Sequence, residues 1–188
     1  MKKDLAEMST LDVFLSSLSK REYEKLKQNI GSRKAKSLPL MSWDAYMEGY
    51  YEQLEDSRRK IEMDKVLSFA QRFEWKNDLK QIFTQTDYEA LIITDVHQKI
   101  IWVNEGFTDM TGYSKRYAVY KTPRFLQGPM TSSKTKQRIK KNIELDIPFK
   151  DVIINHKKDN SIYKCEVNIF PLYSDKTTHY IAFERKVG

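Results

Sequence analysis

Few side chains of this sequence have the chemistry of a catalytic or metal-binding group. There is one cysteine, Cys165, and there are three histidines, His97, His156 and His179. The histidines fall in predicted turns or at strand ends and lack the spacing of metal ligands, which favours surface residues. Cys165 lies in a predicted strand, which favours a buried, unreactive thiol. Since no glycine-rich phosphate-binding loop is present either, we expect that the protein is not an enzyme and binds no metal.

The charge balance raises nucleic-acid binding as an alternative. The 188 residues carry a formal net charge of +7, and such an excess attracts polyanions. The segment Leu18–Leu26 resembles the first helix of the DNA-binding helix-turn-helix of response regulators. However, Gly31–Leu40 is not a short turn, and Trp43–Leu54 is too acidic and aromatic for a recognition helix. A DNA-binding transcriptional regulator remains an alternative only, with contacts expected at four basic residues: Lys20, Arg21, Arg33 and Lys34.

The sequence also bears on where the protein acts. A single cysteine excludes a disulfide within one chain, which fits a reducing compartment. No apolar stretch reaches the roughly 18 residues that a membrane-spanning helix needs, and the N-terminal residues lack the apolar run of a secretory signal. We therefore expect a cytoplasmic protein that does not contact a membrane.

Residues 1–86 have the apolar spacing of helices. Ser19 and Glu22 form a capping-box pattern, and the helix that follows should end at Gly31. Ser42 is a candidate cap for a helix with one aromatic and apolar face: Trp43, Tyr46, Met47, Tyr50, Tyr51 and Leu54. A long helix is predicted over Arg58–Phe83, with an apolar stripe of Val66, Phe69, Ala70, Phe73, Leu79, Ile82 and Phe83. Such faces must be buried, against neighbouring helices or a second copy, so we expect this region to serve dimerisation or partner binding.

From residue 87 the pattern changes to short strands. Five are predicted, at Ala90–Asp95, Lys99–Asn104, Phe149–His156, Ile162–Pro171 and His179–Val187. A helix over Glu105–Thr111 begins at an Asn104 cap and ends at Gly112, and a basic helix spans Ser132–Leu145. This order predicts an α+β fold, a five-stranded antiparallel sheet with helices on one face. The predicted domains are residues 1–86 and residues 87–188.

Three segments carry a family resemblance. They are Leu91–Asp95, Ile101–Phe107 and Met110–Ser114, and in this order they resemble the opening of a PAS domain. The resemblance covers about Tyr88 to Val187. It implies the PAS fold for residues 87–188 and a role as a sensory or signalling module.

A second motif narrows the resemblance. The residues Arg124–Pro129 (RFLQGP), followed by Thr131, resemble the core motif of the light-oxygen-voltage (LOV) branch of the PAS family. In that branch an asparagine and a cysteine precede the arginine, and the cysteine forms a photo-adduct with flavin. Thr122 and Pro123 occupy these positions here. Because proline has no nucleophilic atom, the resemblance implies a LOV-like domain without adduct chemistry.

The LOV resemblance implies seven positions that contact flavin mononucleotide (FMN): Thr94, Arg124, Gln127, Lys140, Asn155, Cys165 and Glu184. Arg124 matches an arginine that approaches the phosphate, and Lys140 replaces a second one. Asn155 matches an asparagine that reads the polar edge of the ring. Cys165 and Glu184 depart from the family, because they replace an asparagine and a glutamine. FMN is therefore the candidate cofactor, and another small ligand or no ligand are the alternatives.

The leading interpretation is a sensory module with a small pocket, which signals through its N-terminal helices, as a homodimer, to an unidentified partner protein. The alternative is a ligand-free PAS module for protein–protein interaction. A sensor needs a cavity lined by Arg124, Asn155 and Glu184. In a docking module, large side chains would fill that space: Trp102, Phe125 and Phe183.

Overall fold

The computed structural model describes residues 43–188, in which Glu52–Gly188 form one compact unit. The predictions for the chain before Trp43, including the caps at Ser19 and Ser42, lie outside the described residues. The four basic residues of the DNA-binding alternative also lie outside them. Among the described helices, none combines the length and the apolar character that crossing a membrane requires.

Residues 43–188 form a helical segment followed by a sheet with further helices. The helices are α1 (Trp43–Phe73), α2 (Leu79–Gln85), α3 (Glu105–Thr111), α4 (Lys115–Ala118), a 3-10 helix (Pro123–Leu126) and α5 (Ser133–Glu144). The strands are β1 (Ala90–Asp95), β2 (Ile100–Val103), β3 (Phe149–His156), β4 (Ile162–Tyr173) and β5 (Thr177–Lys186). Their order in the sheet is β2-β1-β5-β4-β3, and all neighbours are antiparallel. The predicted α+β fold is confirmed.

Local signals set the bounds of the elements that begin the sheet. β1, β3 and α3 have the predicted limits. The Asn104 side chain accepts a hydrogen bond from the backbone N–H of Phe107 at 3.0 Å, and Gly112 ends α3 in the left-handed conformation, with φ of 76°. Asp95 closes the turn between β1 and β2, because its carboxylate accepts from the backbone N–H groups of His97 and Lys99.

Helix α1 ends earlier than the predicted long helix over Arg58–Phe83. Glu74 adopts a left-handed φ of 56°, and the backbone N–H of Trp75 donates to the carbonyl of Ala70 at 2.9 Å. This pattern is the Schellman motif, which closes the last turn of a helix. Asp78 then caps α2 by accepting from the backbone N–H of Gln81. The apolar stripe is thus divided between two helices.

One face of the sheet is covered by α1 and α2. Buried residues of these helices and of the sheet form the outer cluster: Val66, Trp75, Leu79, Tyr88, Leu91, Ile93, Leu172, Ile181 and Phe183. The remaining members of the predicted stripe pack against it: Phe69, Ala70, Phe73, Ile82 and Phe83. Because the stripe lies on the sheet of its own chain, it is not available as the seam of a dimer.

The opposite face of the sheet carries the inner cluster, which α3, α4, the 3-10 helix and α5 adjoin. Its buried members are Ala90, Ile92, Ile100, Val103, Phe107, Met110, Ala118, Leu126, Ile153, Tyr163, Cys165 and Val167. On β5, Ile181 and Phe183 belong to the outer cluster, whereas Ala182 packs against the inner one. The alternation of a strand therefore separates the two clusters.

Asn104 joins the two helical layers to the sheet. It is 1% exposed, and its side-chain oxygen accepts from the backbone N–H groups of Leu91 at 2.8 Å and Phe107 at 3.0 Å. Its amide nitrogen donates to the Glu62 carboxylate on α1 at 2.9 Å and to the carbonyl of Glu89 at 3.2 Å. All the hydrogen-bonding capacity of this buried amide is used, so it fixes α1, β1 and α3 relative to one another.

We predict that Asn104→Ala lowers the free energy of unfolding by about 3 kcal/mol, because it leaves the buried backbone N–H groups of Leu91 and Phe107 without partners and removes one hydrogen bond from the Glu62 carboxylate. Urea unfolding measures the loss. Ser114→Ala is the matched control, since Ser114 caps α4 in the same way but is exposed, and about 1 kcal/mol or less is expected there. Equal losses in the two variants would mean that Asn104 acts only as a helix cap.

Candidate functional site

A cavity of about 480 Å³ lies between the inner face of the sheet and the segment from Pro123 to Ile143. Its apolar lining consists of Ile92, Pro123, Leu126, Ile139, Ile143, Ile153, Val167, Ile169 and Ala182. Its polar lining consists of Thr94, Gln98, Arg124, Gln127, Lys136, Gln137, Lys140, Asn155, Tyr180 and Glu184. A cavity of this size that combines an apolar surface with converging polar groups is typical of small-molecule sites.

The structure brings six of the seven predicted positions to this cavity: Thr94, Arg124, Gln127, Lys140, Asn155 and Glu184. The seventh, Cys165, does not line it, because the thiol is fully buried in the inner cluster. Sequence reasoning missed Lys136 and Tyr180. Lys136 precedes Lys140 by one helical turn, and Tyr180 lies on the same face of β5 as Glu184, so the periods of helix and strand could have indicated both.

The inner wall of the cavity carries three buried polar side chains, Thr94 on β1, Asn155 on β3 and Glu184 on β5, which are 8%, 4% and 5% exposed. The Cys165 thiol donates to Oε2 of Glu184, with a sulfur–oxygen distance of 3.6 Å. Within the described residues, this is the one side-chain hydrogen bond of Glu184. Burial raises the pKa of the Glu184 carboxyl to about 7, although the hydrogen bond from Cys165 acts in the opposite direction.

The opposite side of the cavity is cationic and open to solvent. Arg124 in the 3-10 helix and Lys140 in α5 are exposed, and Lys136 is partly exposed. Lys140 lies 3.7 Å from the Glu144 carboxylate, whereas Arg124 has no ion-pair partner among residues 43–188. The opening can therefore attract an anionic group, while the buried polar side chains of the interior are Thr94, Asn155 and Glu184.

Helix α5 forms one wall of the cavity, and polar side-chain contacts help to hold it there. None of its residues is buried. The Arg138 guanidinium donates twice to the Asp151 carboxylate on β3, at 2.5 and 2.6 Å, and this contact lowers the pKa of Asp151. Beyond the end of α5, Asp146 accepts from the Tyr180 hydroxyl at 2.6 Å. These contacts tie the wall to β3 and β5, the strands that carry Asn155 and Glu184.

The large side chains that could have filled the cavity pack elsewhere. Phe125 lies edge-on to Tyr113, with ring centroids 5.1 Å apart. Trp102 and Phe183 pack in the outer cluster, where Phe183 meets Phe83 at 5.1 Å. The space lined by Arg124, Asn155 and Glu184 is therefore a cavity and not part of the packed core.

The three histidines differ in their burial. His97 is exposed and His156 is partly buried. The expectation of a surface position was wrong for His179, which is 8% exposed and lies 4.2 Å from the Phe73 ring, measured between ring centroids. This burial lowers the pKa of its imidazole. In the part of the chain that the structure describes, no three potential metal ligands come together.

We predict that Glu184 makes the stability of the ligand-free protein fall as pH rises. The pKa of the carboxyl is about 7 in the fold and about 4.5 when unfolded, so the folded state binds more protons between these values. The loss amounts to about 3 kcal/mol between pH 4.5 and pH 7. Relative to wild type, Glu184→Gln should therefore gain this stability at about pH 8 but not at about pH 5.

Urea unfolding at both pH values measures this difference. Asn155→Ala is the control, because it changes an uncharged side chain of the same cavity wall and should shift stability equally at both pH values. A Glu184→Gln effect that is the same at both pH values would show that Glu184 is not protonated by folding.

Comparisons with known proteins point to one family for the half of the chain that contains the sheet and the cavity. The chain is 35% identical over 97 residues to the bacterioopsin transcriptional activator of Halobacterium salinarum, and 33% identical over 102 residues to a blue-light photoreceptor of Listeria monocytogenes. These matches cover 50% and 52% of this chain, but only 14% and 40% of those proteins. The chain thus spans less than half the length of these relatives.

The fold is shared with solved LOV structures. The LOV domain of the blue-light activated histidine kinase EL346 of Erythrobacter litoralis is 28% identical, with a TM-score of 0.52, and the match covers 55% of this chain and 99% of that domain. A model of the PAS domain family matches residues 89–185, which is just over half of the chain. This range contains all of the five-stranded sheet except Lys186, and every residue that lines the cavity. The chain belongs to the PAS domain family.

Proposed function

We propose that the protein is a LOV-like sensory module that binds FMN in the cavity and signals through its N-terminal helices to a partner protein. The observation that carries this proposal is the cavity itself, which is apolar, has buried polar groups at its inner wall and is cationic at its opening. The relatives that are named blue-light photoreceptors support a sensory role.

The opening of the cavity suits a phosphate. Arg124 offers a planar guanidinium that can donate two parallel hydrogen bonds to phosphate oxygens. Lys136 and Lys140 line the cavity from one face of α5, and each adds a positive charge on a flexible side chain. These three residues would hold the phosphate of FMN, and Gln127 would contact the ribityl chain.

The inner wall suits a polar heterocycle. Asn155 offers one acceptor and two donors, and Thr94 offers a hydroxyl. When bound, the flavin would supply absorption of visible light, while these residues would bind and orient it. Pro123 lines the cavity at the position of the adduct-forming cysteine, and Cys165 lies outside the lining. The chain therefore holds no thiol at the cavity wall for an adduct.

The ligand-free alternative gains no support from the packing. In that case Phe125, Trp102 and Phe183 would fill the interior, yet all three pack away from it. In addition, burying a carboxyl such as Glu184 beside a cavity destabilises a domain that serves only for docking. A bound ligand would offset the cost of burying this carboxyl.

A continuous set of hydrogen bonds supports signalling towards α1. The carbonyl of Glu184 accepts from the backbone N–H of Glu89 at 2.8 Å. The carbonyl of Glu89 accepts from Asn104, which also donates to Glu62 on α1. A shift of β5 at the cavity would therefore act on α1 through three contacts. A two-state change of this set would be the physical basis of the signal.

We predict that Arg124→Gln weakens FMN binding about 10- to 100-fold, because a charged hydrogen bond contributes about 1.5–3 kcal/mol. Binding of riboflavin, which has no phosphate, should stay within about twofold of wild type. Quenching of flavin fluorescence on titration measures both affinities. Arg116→Gln is the matched control, since Arg116 is exposed and does not line the cavity.

The wild-type protein tests the ligand directly. Freshly purified protein should show the visible absorption of a flavin, and denaturation should release FMN that mass spectrometry identifies. Protein that shows only its own ultraviolet absorption, and binds no added FMN, would contradict the flavin proposal and leave the RFLQGP motif as a structural feature.

We also propose that α1 contributes to a homodimer through its exposed apolar side chains. Leu54 and Ile61 are 47% and 69% exposed. They are seven residues apart, which is the spacing of equivalent positions in a coiled coil. Unlike the stripe that packs on the sheet, these side chains are exposed in the described structure and can pair with a second copy.

We predict that Ile61→Asp converts a dimer into a monomer without loss of helix content, because a carboxylate in the seam would be buried without a partner. Light scattering measures the mass and circular dichroism the helix content. Ile147→Asp is the matched control, since Ile147 is 48% exposed but lies in the loop after α5. A monomeric wild-type protein, or a mass unaffected by Ile61→Asp, would contradict a seam at Ile61.

A further inference from the structure

The carboxyl of Glu184 is buried and has almost no hydrogen-bond partners in the protein. It lies on the central strand β5, is 5% exposed and lines the cavity. Its one side-chain hydrogen bond within residues 43–188 comes from the Cys165 thiol, which is a weak donor. The second carboxyl oxygen has no described protein partner, so its partner has to come from the contents of the cavity.

Among residues 43–188, no cation forms an ion pair with Glu184. The groups that face it from the neighbouring elements are uncharged in their ordinary forms: Cys165 and Tyr163 on β4, Asn155 on β3, Ala90 on β1 and Tyr180 on β5 itself. Lys186 follows Glu184 on the same face of β5, but it is exposed and lines a different pocket. The cations of the cavity, Arg124, Lys136 and Lys140, belong to its exposed side, and none forms an ion pair with Glu184 in the described structure. A bound ligand would exclude water and disfavour the charged carboxylate further.

The neutral carboxylic acid fits this environment better than the carboxylate. Because the thiol donates to Oε2, that oxygen acts as the acceptor, and the proton belongs on the other oxygen. In this form the side chain offers a carbonyl acceptor and one O–H donor, and the amide of glutamine likewise combines an acceptor with N–H donors. The acceptor is already used by Cys165, so the O–H is what remains for the ligand.

Given the proposed ligand-binding function, on which this step rests, we propose that Glu184 donates its carboxyl proton in a hydrogen bond to a carbonyl oxygen or an unprotonated ring nitrogen at the inner end of the ligand. The site would thus select molecules that carry an acceptor at one end and an anionic group at the other. FMN is one such molecule. Glu184 is then the residue that makes ligand affinity depend on protons.

Whether ligand affinity rises or falls with pH follows from the protonation state of Glu184. The complex keeps Glu184 protonated, whereas the free protein loses this proton as pH rises through about 7. Binding above that pH must therefore take up one proton, and affinity falls up to tenfold per pH unit. If Glu184 instead accepted a ligand N–H as a carboxylate, affinity would rise over the same range.

The test is a titration of FMN into the full chain, followed by flavin fluorescence, at several values from about pH 6 to about pH 9. We expect wild-type affinity to fall about tenfold per unit above the midpoint. Glu184→Gln should keep the affinity measured at low pH and show no such fall, because an amide also donates but does not ionise. The comparison of the two proteins removes the titration of the FMN phosphate itself, which is common to both.

Two further variants separate this role from a structural one. Cys165→Ala removes the hydrogen bond that lowers the pKa of Glu184, so the fall in affinity should move to higher pH. This variant also keeps the proposal testable should Glu184→Gln fail to fold, which circular dichroism would reveal. Asn155→Ala, the control at the same wall, should weaken binding at every pH and leave the slope unchanged.

Opposite results would overturn the inference without touching the flavin proposal. Affinity that is flat or rises with pH, or a fall that persists in Glu184→Gln, means that Glu184 is not the donor. Absence of FMN binding at every pH would overturn the flavin proposal instead. In that case, the infrared carbonyl band of a protonated carboxyl in the ligand-free protein decides whether Glu184 can act as a donor. A band that Glu184→Gln removes supports the donor for another acceptor-bearing ligand, and no such band overturns it.

Discussion

The alternation of side chains along β5 is the constraint on which the structure depends. This strand lies in the middle of the sheet, between β1 and β4, so its backbone is paired on both sides. Ile181 and Phe183 must then point into the outer cluster, while Tyr180, Ala182 and Glu184 form the wall of the cavity. A shift of β5 by one residue would turn the Phe183 ring towards the cavity and the Glu184 carboxyl into the outer cluster. Packing therefore fixes the register of this strand.

The same constraint explains why the Glu184 side chain cannot move out of the cavity wall into solvent. Glu184 is held opposite Ala90 on β1 and opposite Val167 on β4, so it cannot turn towards solvent without breaking both ladders. Its desolvation is therefore a fixed feature of the fold, which is offset by protonation or by a ligand and not by movement. Sites that retain unbalanced polar groups at the cost of stability are typical of binding and catalysis.

The sequence predicted the sheet and much of the candidate site because local signals act there. The cap at Asn104, the glycine end at Gly112 and the period-2 runs of β1 and β3 depend on neighbours in the chain. The resemblance to the LOV motif brought six positions to one cavity. The structure does not place Cys165 at the cavity wall, since a motif gives a position in the chain, whereas only packing shows that the thiol contacts Glu184 and does not line the cavity.

The end of α1 shows what local signals could not provide. Glu74 takes a left-handed conformation without being glycine, so no residue type announces the break. The break is stabilised by tertiary contacts, because Trp75 is buried in the outer cluster and its indole N–H donates to Thr178 at 3.1 Å. Residues more than 100 positions apart decide where this helix ends, and periodicity within a window cannot detect them.

The outer cluster also shows how the helices that precede the PAS sheet are packed against it. Val66 and Leu79 come from before residue 87, and Leu91, Ile181 and Phe183 come from after it, yet they bury one another. The sheet thus has one face completed by α1 and α2 and one face that surrounds the cavity. The proposed ligand-driven change in β5 would therefore alter the packing of these helices, because both faces belong to the same strand. The proposed signalling route needs no further connecting element.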